Sequence, residues 1–160
     1  MPGDDGLRMF LRHRHVLHAI RPGSVGLISD ACAIFVEVCN HPTPEFVVDL
    51  FASKPGDKEL CWAEVKRRQI HLPGRAAYDL PPVLRINLAL FLPMVPTEVV
   101  YSTLLEELIH LHRGFDLINP HDAVFLRMAR RYPFYDDSEL WKKYHAFEVL
   151  QELNEKVPNL

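Results

Sequence analysis

The sequence predicts an α+β domain: a small, mostly antiparallel sheet packed on a central helix, with further helices at both ends. Three features of the 160-residue chain lead there. Between Phe46 and Phe91 short apolar runs are broken by turn residues, which is the texture of strands. From Val99 to Leu111 the chain is apolar nearly all round a helical wheel, as a central helix must be. Helical spacing resumes on either side of these segments. With 48% hydrophobic residues one core can form without disulfides, so residues 1–160 read as a single domain. Its parts are an N-terminal helical segment (1–40), a sheet (45–92) and a helical half (96–155).

Taken in order, Leu7 to Ile20 and Gly26 to Cys39 read as helices separated by the breaker Arg21-Pro22-Gly23-Ser24. The run Cys32 to Val38 in the second is β-branched and reads equally as a strand. Strands are expected at Phe46–Phe51, Leu60–Val65, Gln69–Leu72 and Val83–Phe91, with Lys66-Arg67-Arg68 as a hairpin turn between two of them. In Leu84-Arg85-Ile86-Asn87-Leu88 the alternation has period two, which puts one polar face on that strand. Pro96-Thr97-Glu98 starts the central helix and Arg113-Gly114 stops it. Asn119-Pro120 caps a further helix through Arg131. The last helix begins near Asp137-Ser138, with Leu140, Tyr144, Phe147 and Gln151 as its inner stripe.

Eighteen basic and twenty-one acidic residues leave a formal charge of -3, so no global field draws the chain to nucleic acid or to an anionic membrane. Cys32, Cys39 and Cys61 are scattered in apolar surroundings and read as reduced core residues. The segment after Asp4 and Asp5 is rich in Arg and His, without the apolar run of a signal peptide, and no stretch reaches membrane-spanning length. A cytoplasmic location is the expectation, with the oligomeric state left open.

The chemistry concentrates in Glu106-Glu107-Leu108-Ile109-His110 and in His121. Residues four apart share a helix face, so Glu106 and His110 can grip one metal ion, and a ten-residue loop can fold His121 back as the third ligand. Glu107 then stands beside them as a general base for a water at an open fourth position. Burying these charges is costly unless they are paired or metal-bound. The structural alternative is a polar cluster tied by salt bridges to Arg85, Arg127 or Arg130. His13, His15 and His18 read as a solvated helix face, and His112 as a helix-end residue that favours the dipole. Di-iron bundles need a second Glu-x-x-His pair, which the chain lacks.

Several segments together resemble the SprT-like and YgjP-like zincin metallopeptidases. They are Val83-Leu84-Arg85-Ile86-Asn87, Pro96-Thr97-Glu98-Val99-Val100, Leu105-Glu106-Glu107-Leu108-Ile109-His110-Leu111, Pro120-His121-Asp122-Ala123-Val124-Phe125 and Arg130-Arg131-Tyr132-Pro133. The resemblance covers about residues 83 to 141 and follows the family's order of strand, His-Glu-x-x-His helix, and a helix opening on a third His followed by Phe. It implies a zincin-like fold and a Zn2+-dependent peptidase acting on protein or peptide. In it His110 matches the second motif histidine, His121 the downstream ligand and Glu107 the catalytic glutamate. Glu106 replaces the first histidine. A Glu/His/His set suits zinc and equally suits non-haem iron, so the metal's identity stays open. Upstream, where YgjP-like members carry a Trp-Gly-Ser type segment, this chain has Lys66 to Gly74. Three functions follow: a metal-dependent hydrolase, a catalytically degenerate zincin serving as a binding or regulatory module, and an iron-dependent oxidative enzyme.

Overall fold

A parallel pair of strands needs a crossover between them, and the first half of the chain supplies one. Strand β1 (Leu7–Met9) leads into helices α1 (Leu11–Ile20) and α2 (Ser24–Cys39), which return the chain to β2 (Phe46–Phe51) alongside β1 and parallel to it. Strands β3 (Ala63–Ile70) and β4 (Tyr78–Asn87) form an antiparallel hairpin, and β4 lies parallel to β2. A single 3₁₀ turn (Leu88–Phe91) connects to α3 (Thr97–Arg113), α4 (Ala123–Ala129) and α5 (Tyr135–Lys156). As a computed structural model, the structure describes residues 7–9, 11–54 and 56–157, with side chains from position 16 onward. Asp4, Asp5 and the side chains of His13 and His15 lie outside the described residues.

The α+β expectation holds, but the sheet is mixed rather than mostly antiparallel. Its order is β1-β2-β4-β3, and two of its three pairings are parallel. Residues in register share a face. Phe46, Val48, Leu84 and Ile86 accordingly form one buried face under the helices, and Ala63 and Val65 of β3 continue it toward the edge. On the opposite face Arg85 sits between its cross-strand neighbours Asp49 and Glu64, 3.7 and 2.6 Å away, with its guanidinium over the Phe51 ring.

Several boundaries differ from expectation for identifiable reasons. The ambiguous run in α2 is helical, with Ile28, Ala31 and Phe35 buried at three- and four-residue spacing. Lys66-Arg67-Arg68 is not a turn. β3 runs straight through it with one register irregularity, and the hairpin reverses near Gly74, at φ 72. Arg67 is accommodated there by ion pairs to Asp79 and Asp116. β4 stops at Asn87 because its side chain accepts from the Ala89 N–H and donates to Ser53 Oγ and the Cys61 carbonyl. Leu7–Met9, expected in the first helix, is strand. Cys32 and Cys39 are half-buried, Cys61 is exposed, and all three thiols are free.

The largest difference is in α5. Its inner face carries Tyr135, Ser138, Lys142, Val149 and Leu153, whereas Leu140, Tyr144 and Phe147 are 52%, 68% and 70% exposed. Apolar spacing alone selects the wrong stripe, because the true inner face contains a lysine that pairs with Glu139 on its own helix and with Glu106 on α3. Helix α3 is central as expected, buried along most of its length and packed against α2, α4, α5 and β3. Among the described residues no helix is long and apolar enough to cross a membrane.

Candidate functional site

The loop after α3 brings two of the sequence-predicted residues face to face. His110, on the last turns of α3, and His121, just before α4, have their Nε2 atoms 2.8 Å apart. Both rings lie against Phe125, with centroids 4.8 and 4.7 Å away, and the His110 ring is stacked on it. Phe125 is fully buried in α4, four residues after His121, so the turn leading into α4 supplies a histidine and the helix supplies the ring against which both imidazoles lie.

This arrangement is held by Asp122, not by the expected cap Asn119. One Asp122 carboxylate oxygen accepts from the Phe125 backbone N–H at 3.0 Å, capping α4, and the other pairs with Arg113 at 2.8 Å. Arg113 also donates to the Pro120 carbonyl, which ties the loop to the end of α3. The Arg113 guanidinium and the helix N–H hold the Asp122 carboxyl at about 2, well below the usual range. Asn119 instead accepts from the His121 backbone N–H, a local turn that sets the direction of the histidine.

Glu107 enters the same cleft and is 8% exposed. Burial raises its pKa to about 8, the neighbouring Glu106 adds to the shift and Lys142 opposes it. Burial also lowers the pKa of His110, reinforced by His121. A neutral imidazole offers one donor and one acceptor nitrogen, so a direct Nε2 to Nε2 hydrogen bond requires at least one ring to be neutral, which the lowered pKa favours.

Glu106 is placed differently. Its Oε1 accepts from the Tyr135 hydroxyl at 2.7 Å, and its Oε2 lies 3.5 Å from the Lys142 ammonium, which also contacts Glu139 at 2.6 Å. The polar cluster around Glu106 is therefore built from α5. Of the arginines considered from sequence, Arg85 is engaged on the far face of the sheet and Arg130 pairs with Asp136 at the surface. Tyr135 and Lys142 were not identified from sequence, and the signal that would have found them is their spacing with Ser138 and Val149. Among the described residues no group of three His, Cys, Asp or Glu side chains is placed to hold a metal ion. The structure brings together His110, His121 and Glu107, and turns Glu106 toward α5.

The cleft over these residues has a volume of about 320 Å³. It is lined by the polar residues Glu64, Glu107, His110 and His121 and by the apolar residues Ala63, Val65, Phe115, Leu117 and Pro120. One wall is β3, which pairs with β4 alone among the described residues and so leaves its other edge free. His112 turns away and lies against His41, with ring centroids 4.2 Å apart and planes tilted by 52°, beside Phe35. Burial and the nearby His41 lower its pKa. His18 is exposed.

In chemical terms, two imidazole nitrogens pointed at one another beside a buried carboxyl can share a cation or pass a proton. The donor types suit a divalent metal at two positions, whereas Glu106, held by Tyr135 and Lys142 of α5, does not line the cleft. Comparison with models of known protein families, with curated proteins and with solved structures finds no match for this chain.

Proposed function

We propose that the cleft is the site of a metal-dependent hydrolase of the zincin type acting on peptides. In this reading His110 and His121 are the nitrogen ligands, Glu106 the carboxylate ligand and Glu107 the acid–base group. The observation that carries it is the convergence of the two imidazoles on Phe125 beside a buried Glu107. Zn2+ suits the nitrogen donors, and the carboxylate leaves room for another divalent ion. When bound, such an ion supplies Lewis acidity and acidifies water. Glu107 takes up and returns the proton, a task suited to a carboxyl whose pKa lies near neutrality.

A peptide fits the cleft because the free edge of β3 offers unpaired backbone groups to an extended chain, beside apolar walls for its side chains. A second reading has its own support. The bonds from Tyr135 and Lys142 give Glu106 a complete structural role, as expected of a degenerate zincin kept as a binding or regulatory module. Peptide hydrolysis by the parent that Glu107→Gln abolishes supports the first reading. Activity that appears only in Glu106→His supports the second.

A further inference from the structure

We propose that α5 is a dimerisation helix, on which a second copy of this chain packs in parallel through Leu140, Tyr144, Phe147 and Gln151. These residues follow one another at intervals of four, three and four, the spacing of the a and d positions of a coiled coil. Leu140, Tyr144 and Phe147 are each more than half exposed, and Gln151 is exposed too. They lie on the side of the helix opposite Tyr135, Ser138, Lys142, Val149 and Leu153, which face the core. The row is thus turned squarely outward. Two aromatic rings and a leucine in one exposed line, rimmed by polar residues, mark an interaction surface, unlike apolar residues scattered singly.

A second copy is the occupant because the charges beside the row complement themselves. Lys143 precedes Tyr144 on one flank and Glu148 follows Phe147 on the other, both exposed. These are g and e positions, and in a parallel pair a g residue meets the e residue five positions on in the other helix. Lys143 of each copy therefore meets Glu148 of the other, and symmetry makes the contact twice. The ion pairs that α5 makes within the chain use Asp136, Glu139, Lys142, Glu152 and Lys156, and among the described residues Lys143 and Glu148 take part in none of them. Tyr144 and Phe147 form the two central layers of the seam. Gln151, a polar residue at an a position, sets the register. Four layers make a short seam, so the dimer is reversible and its extent follows protein concentration. The pairing rests on α5 alone and is independent of what the cleft binds.

The test is sedimentation equilibrium of the full chain from micromolar to millimolar concentration, with circular dichroism of dilute samples to follow folding. The parent is expected to pass from monomer to dimer as its concentration rises. Phe147→Ser, which takes two rings out of the seam, should raise the Kd of the dimer by about a hundredfold or more. Lys143→Glu and Glu148→Lys each turn two attractive pairs into repulsive ones and should raise it by about tenfold. Lys143→Glu/Glu148→Lys exchanges the two charges and should return the Kd close to that of the parent. All four variants should melt with the parent when dilute, because the row lies outside the core of the monomer. A parent that stays monomeric throughout leaves the row to a different protein and overturns the inference, as does a dimer that Phe147→Ser leaves intact. A double variant that associates no better than the single ones overturns the parallel pairing.

Discussion

His121 stands in the turn just before the Asp122 cap and Phe125 in the first turn of α4, and the two rings meet so that His110 also rests on Phe125. The fully buried Phe125 therefore serves the core and the site at once. Phe125→Ala is expected to cost about 3–5 kcal/mol in chemical denaturation. Phe125→Leu should cost less and leave the domain folded, but loosen the imidazole pair. A leucine variant that keeps the parent's metal affinity would show that the platform is not needed for alignment.

Glu107 gives the metal-free protein a characteristic pH dependence. Its carboxyl titrates near 4.5 when unfolded and at about 8 when folded, so the folded state holds the proton more tightly. Its contribution to stability is complete below about pH 4.5 and is lost as the pH rises toward 8, at on the order of 1.4 kcal/mol per pH unit at most. Chelator-treated Glu107→Gln should show a flatter stability profile over that window and exceed the parent at its alkaline end. Parallel profiles for the two proteins would mean that Glu107 is not buried as a carboxyl.

The Tyr135 hydroxyl donates to a largely buried carboxylate, and hydrogen bonds to charged groups contribute more than neutral ones. Tyr135→Phe should therefore lose about 1.5–3 kcal/mol, read by urea denaturation. A loss confined to a few tenths would place Glu106 in solvent.

Helix α5 is tested by comparing its two faces. Serine at Leu140, Tyr144 or Phe147, all exposed, should change stability by no more than about 0.5 kcal/mol each. Leu153→Ala, in the core, should cost about 2–5 kcal/mol. The reverse pattern would restore the face expected from apolar spacing.

That face shows where sequence is and is not sufficient. β2 and α3 carry their own signals, since a short apolar run between turn residues and an apolar helix bounded by Pro96 and Gly114 each specify local structure, whereas the β-branched run of α2 left helix and strand open. The pairing of His110 with His121 was legible too, because a helix and a ten-residue loop limit where His121 can go. The partners of Glu106 were not. Tyr135 and Lys142 lie 29 and 36 residues away on α5, and a lysine at an inward position looks like a solvated one until its carboxylates are placed. The mixed sheet was hidden for a similar reason. Parallel pairing of β1 with β2 depends on a crossover through α1 and α2, and that of β2 with β4 on a connection through β3, while local alternation says nothing of strand direction.

The central claim is a metal held by His110 and His121 with Glu106. Its most direct test is elemental analysis of protein purified without chelator, beside Glu106→Ala and His121→Ala. The account predicts about one divalent metal per parent chain, a reduced content in Glu106→Ala and loss of the metal in His121→Ala. A parent without stoichiometric metal, or His121→Ala retaining as much as the parent, would contradict it.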